Sequence, residues 1–201
     1  MRPDVFLAAA VVLAGTGVLA AGTDGFHAYT SEAARRAAIL RAPRALPVVE
    51  IEDQDGRRFS FGDYRGRLLA VEFMYTHCQT LCVALGGAFA QIRDRLGPQA
   101  LGREVVLFSV SFDPARDDPV RLRQQARHLG ADGHSWRLVR IEEPAELKAV
   151  LAAFGIVAIP DGAGGFEHNA AIHLVGRDGR LSDIADYDKP ASAVAKLRSQ
   201  L

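Results

Sequence analysis

The stretch Leu68–Tyr75 reads LLAVEFMY, an apolar run interrupted only by Glu72. A nearly continuous apolar segment of this length is the pattern of a strand buried on both faces of a sheet. A second such strand follows at Val105–Ser111, and Trp136–Ile141 reads as a third. Strands buried on both sides need helices above and below them. A helix carrying Val83, Leu85, Phe89, Ile92 and Leu96 is expected after residue 82, stopping at Gly97-Pro98. Asp118-Pro119 reads as a cap and a first-turn proline, opening a helix that runs to Leu129-Gly130. Pro144 starts another, ending at Phe154-Gly155. Upstream, Val48–Glu52 reads as a strand and Asp53–Gly56 as a turn into Arg58–Ser60. Downstream, Ala170–Val175 and Leu181–Ile184 flank Arg177-Asp178-Gly179, a hairpin signal, and Pro190–Leu201 reads as a closing helix. Strand–helix alternation ending in a hairpin and a helix defines an α/β fold, with a mixed sheet covered by helices on both faces.

The chain has 201 residues, which suits one compact domain with a short accessory segment. An apolar share of 49% against 24% charged rules out a disordered chain. Lys plus Arg and Asp plus Glu balance at 24 each, so no nucleic-acid partner is expected. After Arg2, residues Val5 to Gly22 carry no charge. A spanning helix needs about 20 such residues, so this run reads as an export signal or, by preference, an uncleaved membrane anchor. No cysteine follows it closely, so a lipid-anchored N-terminus is not expected. The rest of the chain should then face a compartment where thiols can oxidise, in a bacterial cell the periplasm. The expected organisation is a signal peptide or transmembrane anchor over 1–22, a linker with a short helix at Thr30–Arg41 over 23–45, and the main domain over 46–201.

The only cysteines are Cys78 and Cys82, where the buried strand ends and a helix begins. Free backbone N–H groups and the helix dipole favour the thiolate there. A spacing of four is expected to place both sulfurs on one face of the first helical turn, with Cβ atoms about 5–6 Å apart. A disulfide wants about 3.8 Å, so the pair converges on a soft metal ion more readily than it bonds to itself. A third ligand must come from the six histidines. His27, His128 and His134 read as solvated, His77 as pointing away from the thiols, and His173 as a partly buried residue of an apolar strand. His168 follows the Gly-rich stretch Asp161–Gly165 and precedes the strand Ala170–Val175. It reads as a loop-borne histidine able to close onto a distant helix N-terminus.

The run Val71-Glu72-Phe73-Met74-Tyr75-Thr76-His77-Cys78-Gln79-Thr80-Leu81-Cys82 resembles the Sco/SenC copper-protein signature, a strand leading into Cys-x-x-x-Cys. Phe108–Asp117 is similar to that family's second block, a strand ending in Asp-Pro-x-x-Asp. His168 stands 86 positions after Cys82, where the family's histidine ligand precedes a strand and a glycine hairpin. Leu46-Pro47 through Phe59-Ser60 resembles the family's lead-in hairpin. The resemblance covers about residues 46–190. It implies a thioredoxin-like fold tethered to a membrane, with Cu(I) or Cu(II) held by Cys78, Cys82 and His168. It also implies a metallochaperone role in cytochrome c oxidase assembly, with the oxidase's copper-bearing subunit or another copper chaperone as partner. Gln79 replaces the proline usual after the first cysteine, and Glu167-His168-Asn169 replaces the usual Asp-His-Ser. Both changes bear on redox tuning and on the partner.

Two thiolates and an imidazole form a soft set suited to copper in either oxidation state, whereas zinc would want a fourth ligand. Glu72, six residues before Cys78, stands where thioredoxins keep a buried acid beneath their dithiol. There it would take a proton from the second thiol, and desolvation would raise its pKa. The competing reading places Glu72 at a sheet edge or beside an arginine. Cys78 and Cys82 as a redox pair with Glu72 as proton acceptor would make a membrane-tethered thiol–disulfide oxidoreductase acting on the oxidase subunit's cysteines. A peroxiredoxin-like peroxidase is disfavoured, because no Pro/Thr-rich run precedes a lone cysteine. Asp113-Pro114 reads as shaping the loop after a strand, with Asp113 a candidate outer group of the metal site, and Arg121, Arg123 and Arg127 read as a solvated helix face.

Overall fold

The computed structural model describes residues 3–23, 25, 30–78 and 81–201, with the backbone alone for residues 3–7 and 9. His27, Gln79 and Thr80 lie outside the described residues. Two compact units are present, Met1–Ala42 and Pro43–Leu201. In the first, α1 spans Pro3–Gly22 and α2 spans Ser31–Arg41. The Thr30 side chain caps α2 by accepting the Ala33 N–H at 3.1 Å. Glu32, in the first turn, pairs with Arg35 and Arg36. No helix among the described residues is long and apolar enough to cross a membrane.

The second unit is built on β1 (Arg44–Ala45), β2 (Ile51–Asp53), β3 (Arg58–Phe59), β4 (Leu68–Met74), β5 (Val105–Ser111), β6 (Trp136–Arg140), β9 (Ile172–Val175) and β10 (Arg180–Ala185). Among the described residues these form one sheet in the order β1-β10-β9-β4-β5-β6-β2-β3. The three middle strands β4, β5 and β6 run parallel and the remaining pairs antiparallel. Parallel neighbours require crossovers. These are α3 (Leu81–Ala100) between β4 and β5, and α4 (Pro119–Leu129) between β5 and β6. α5 (Pro144–Phe154) and α6 (Pro190–Arg198) complete the cover. Every residue of β4 and β5 is buried, and successive side chains serve opposite faces. Phe73 meets Phe154 of α5 at 5.1 Å between ring centroids. Glu72 reaches Ser109 and through it Trp136, whose ring packs 5.8 Å from Phe89 of α3. Helices therefore cover both faces, as the alternation requires.

Three local expectations need correction. The strand expected at Val48–Glu52 is confined to Ile51–Asp53, and Val48 is 95% exposed. The Glu50 N–H donates to the Glu146 carboxylate of α5 instead of to a strand, so no ladder forms there. Gly97, with φ +67°, interrupts α3 where a stop was expected, but the helix resumes through Ala100 because Pro98 suits a first helical turn. The Gly-rich stretch is the turn of a separate two-stranded hairpin formed by β7 (Ala158–Pro160) and β8 (Phe166–His168). Asp161 closes that turn, its carboxylate accepting the N–H groups of Ala163 and Gly165.

Candidate metal centre

β4 carries the chain from the sheet to its upper rim, where Tyr75, Thr76, His77 and Cys78 precede α3. Cys78 lies before the helix and Cys82 within its first turn, so the two do not share that turn as the spacing had led us to expect. The Cys82 N–H donates to Cys78 Sγ at 3.2 Å, so the sulfur itself satisfies one of the open donors at the helix start. The two cysteines are not bonded to each other; Cys82 is buried and Cys78 half-buried. His168 reaches the same place from β8 rather than from a free loop, with Nε2 3.8 Å from Cys82 Sγ. The ligand atoms of Cys78, Cys82 and His168 all lie within 4.8 Å of one another.

Several side chains missed in the sequence reading hold this arrangement. The next residue, Asn169, ties down the end of β8: its Oδ1 accepts the Val157 N–H at 2.8 Å and its Nδ2 donates to the Gly155 carbonyl at 3.0 Å. Phe112 and Tyr75 wall the imidazole at 4.9 and 6.3 Å between ring centroids. The Tyr75 hydroxyl accepts the Phe166 N–H at 3.2 Å, joining the rim of β4 to β8. The only hint of this wall was the aromatic character of Tyr75, Phe112 and Phe166, a property they share with ordinary core residues.

Burial lowers the His168 pKa, which favours the neutral imidazole that a metal requires. His168 Nδ1 lies 3.2 Å from the Asn169 carbonyl; a proton on Nδ1 donates to that oxygen and leaves the Nε2 lone pair toward Cys82. For Cys82 the expected depression is reversed. Burial, joined by the neighbouring Cys78, pushes its thiol well above the usual range and outweighs the helix N-terminus. The Cys82 thiol therefore stays protonated until a cation compensates the charge. Two sulfurs and a neutral imidazole, converging and partly shielded from water, fit copper by the softness of the set.

Glu72 is neither at the sheet edge nor beside an arginine. It is 1% exposed in the middle of β4, accepting the Ser109 Oγ–H at 2.5 Å, while Oε2 has no hydrogen-bond partner among the described residues. Burial raises its pKa to about 8, against the opposing effect of the Ser109 hydrogen bond. Asp113 pairs with Arg116 at 2.5 Å. The second acid of the motif, Asp117, is fully buried. Among the other histidines, His77, His128 and His134 are exposed. His173 is wholly buried, with Nδ1 3.3 Å from the Val71 carbonyl and Phe73 and Phe154 edge-on to its ring. Arg121, Arg123 and Arg127 are exposed on α4.

A mixed sheet with a dithiol at the first parallel strand–helix junction defines a thioredoxin-like protein, here with an imidazole added from a hairpin. The SCO1/SenC family model matches residues 47–201, and the chain belongs to that family. The SCO1 protein homolog of Bacillus subtilis (strain 168) is 25% identical over 139 residues, which is 68% of this chain and 70% of the homolog. The structure of Bradyrhizobium japonicum ScoI with copper bound aligns at a TM-score of 0.67 and 26% identity, covering 78% of this chain and 99% of that one. BsSco, a member of the Sco family of cytochrome c oxidase assembly proteins solved in a study of its disulfide switch, shares the fold at a TM-score of 0.69 and 19% identity, over 79% and 94% of the two chains.

Proposed function

We propose that this chain is a copper-binding assembly protein that delivers copper to, or prepares, the copper centre of cytochrome c oxidase. The observation that carries this reading is the convergence of Cys78, Cys82 and His168 from two separate chain segments. Copper is the cargo, as Cu(I) or Cu(II). Cys78 and Cys82 would each give up a proton to hold it, and His168 would offer Nε2 while Nδ1 stays anchored. The copper found in ScoI and the assembly role of the BsSco group support this assignment. The partner is then the oxidase's copper-bearing subunit or another copper chaperone.

The buried Glu72 supports a second reading, a thiol–disulfide oxidoreductase acting on the oxidase subunit's cysteines. With a pKa of about 8, Glu72 can both take up and return a proton near neutral pH, as exchange at the less accessible Cys82 requires. The His168→Ala variant separates the two. Under the copper reading it should weaken copper binding by at least about tenfold and alter the Cu(II)–thiolate absorption, while thiol–disulfide exchange stays near wild type. The Glu72→Gln variant should do the reverse. Normal oxidase assembly with His168→Ala and failed assembly with Glu72→Gln would transfer the function to the second reading.

We also assign residues 1–22 as a membrane anchor or export segment and 23–45 as a linker, with the domain from residue 46 facing the periplasm. The uncharged run Val5–Gly22 supports this placement. Fusing residues 1–45 to a reporter active only outside the cytoplasm should yield an active, membrane-associated reporter. Activity confined to the cytoplasm would refute it.

A further inference from the structure

The two halves of the site come from parts of the chain that are far apart, and one turn touches both. After β5 the chain folds back at Asp113, whose carbonyl accepts the N–H groups of Arg116 at 3.1 Å and Asp117 at 2.9 Å. Asp117 then points inward. Its carboxylate accepts the Thr76 N–H at 3.0 Å, the Thr76 hydroxyl at 2.5 Å and the Ser111 hydroxyl at 2.6 Å. Thr76 is two residues before Cys78, so Asp117 fixes the segment that delivers the thiols.

Arg116 points the other way. Its Nε is held by the Asp113 carboxylate, and its Nη1 donates to the Gly164 carbonyl at 2.5 Å in the β7–β8 turn. Its guanidinium also lies 5.7 Å from the ring centre of Phe166, two residues before His168. A planar fork held at one nitrogen and donating from another fixes direction as well as distance, which a single ammonium cannot do. The β7–β8 hairpin is a small sheet of its own, outside the eight-stranded one, so it needs such an external tie.

We propose that Arg116 and Asp117 are the positioning pair of the metal site. Asp117 sets the cysteine segment and Arg116 sets the histidine hairpin, so that this one turn, alongside the direct Tyr75–Phe166 hydrogen bond, helps set how far the imidazole stands from the thiols. Neither residue is a ligand. The inference rests on the copper reading for its functional meaning but predicts a metal-free signature as well.

The test uses the full chain in detergent, reduced, with Cu(I) removed by a competing chelator. Arg116→Gln should weaken Cu(I) binding by about 10- to 100-fold, the range for a group that orients a ligand. The Arg116→Gln/His168→Ala double variant should bind no more weakly than His168→Ala alone, because Arg116 acts through His168. In copper-free protein, Arg116→Gln should speed amide hydrogen exchange over residues 158–168 and leave residues 71–78 unchanged. Thr76→Val should show the opposite pattern. Asp113→Asn, which keeps Arg116 but removes its ion pair, should repeat the Arg116→Gln pattern in weaker form. Additive losses in the double variant, or unchanged exchange over 158–168, would overturn the proposal. If His168→Ala binds copper like wild type, the ligand assignment has failed; the copper-free exchange pattern then decides the positioning pair independently.

Discussion

Replacing Cys82 with serine is expected to lower the affinity of the reduced protein for Cu(I) on the order of 10³-fold. A set of metal ligands worth roughly 10–16 kcal/mol in total gives each one several kcal/mol, and an alcohol is a poor substitute for a soft thiolate. The fold should survive, since serine is smaller than cysteine and the main-chain donor at position 82 remains in place. Cys78→Ser should lose copper to a similar extent while unfolding no more readily than wild type. Its hydroxyl can accept the Cys82 N–H in place of the sulfur. Chelator competition and thermal unfolding, measured on the same samples, check both statements. Wild-type affinity in either variant would show that the sulfurs are not ligands.

Glu72→Gln should flatten a steep dependence of stability on pH. In the folded protein Glu72 keeps its proton up to about pH 8, because burial penalises the carboxylate. In the unfolded chain it loses that proton near its ordinary pKa of 4.5. Below pH 4.5 both states hold the proton and the group contributes no slope. Between pH 4.5 and 8 only the folded state holds it, so stability falls as pH rises. At about 1.4 kcal/mol per pH unit, the accumulated loss is on the order of 4 kcal/mol at pH 8. Glutamine cannot ionise, keeps an acceptor for the Ser109 hydroxyl, and should escape this loss. Urea unfolding of the copper-free protein at pH 5 and pH 8 should therefore show wild type weakening far more than the variant. Parallel behaviour of the two would mean that Glu72 is not held neutral in the fold.

Much of this architecture could be read before any coordinates because several elements carry their own punctuation. Asp118-Pro119 and Gly130 bracket α4, and Pro144 and Gly155 bracket α5, at positions where capping chemistry leaves few alternatives. The apolar run through Leu68–Met74 identified the central strand for the same local reason. The short hairpin β7–β8 was invisible because its strands have three residues each, too few to show a period. The Cys82 thiol was misjudged because the helix terminus is a local feature, whereas the burial that outweighs it depends on the whole domain. The family resemblance brought His168 to the cysteines; local pattern alone could only rank it above five other histidines. Arg116 and Asp117 were hidden for a related reason: adjacent charged residues after a strand look solvated until their partners, 48 and 41 positions away, are known.

The offset of 86 positions between Cys82 and His168 has a consequence for biosynthesis. A chain emerging from a ribosome or a translocation channel presents its dithiol long before its imidazole. Until the hairpin has been made and docked, the two cysteines form an unguarded chelate with no geometric preference and no aromatic wall against water. Nascent chains should therefore take up soft metal ions by thiolate softness alone, and discrimination by geometry should begin only with completion of the hairpin that carries His168. Quality control of the cargo is thereby tied to the maturity of the polypeptide, and a truncated product would retain an appetite for soft metals without the geometric selectivity of the full set.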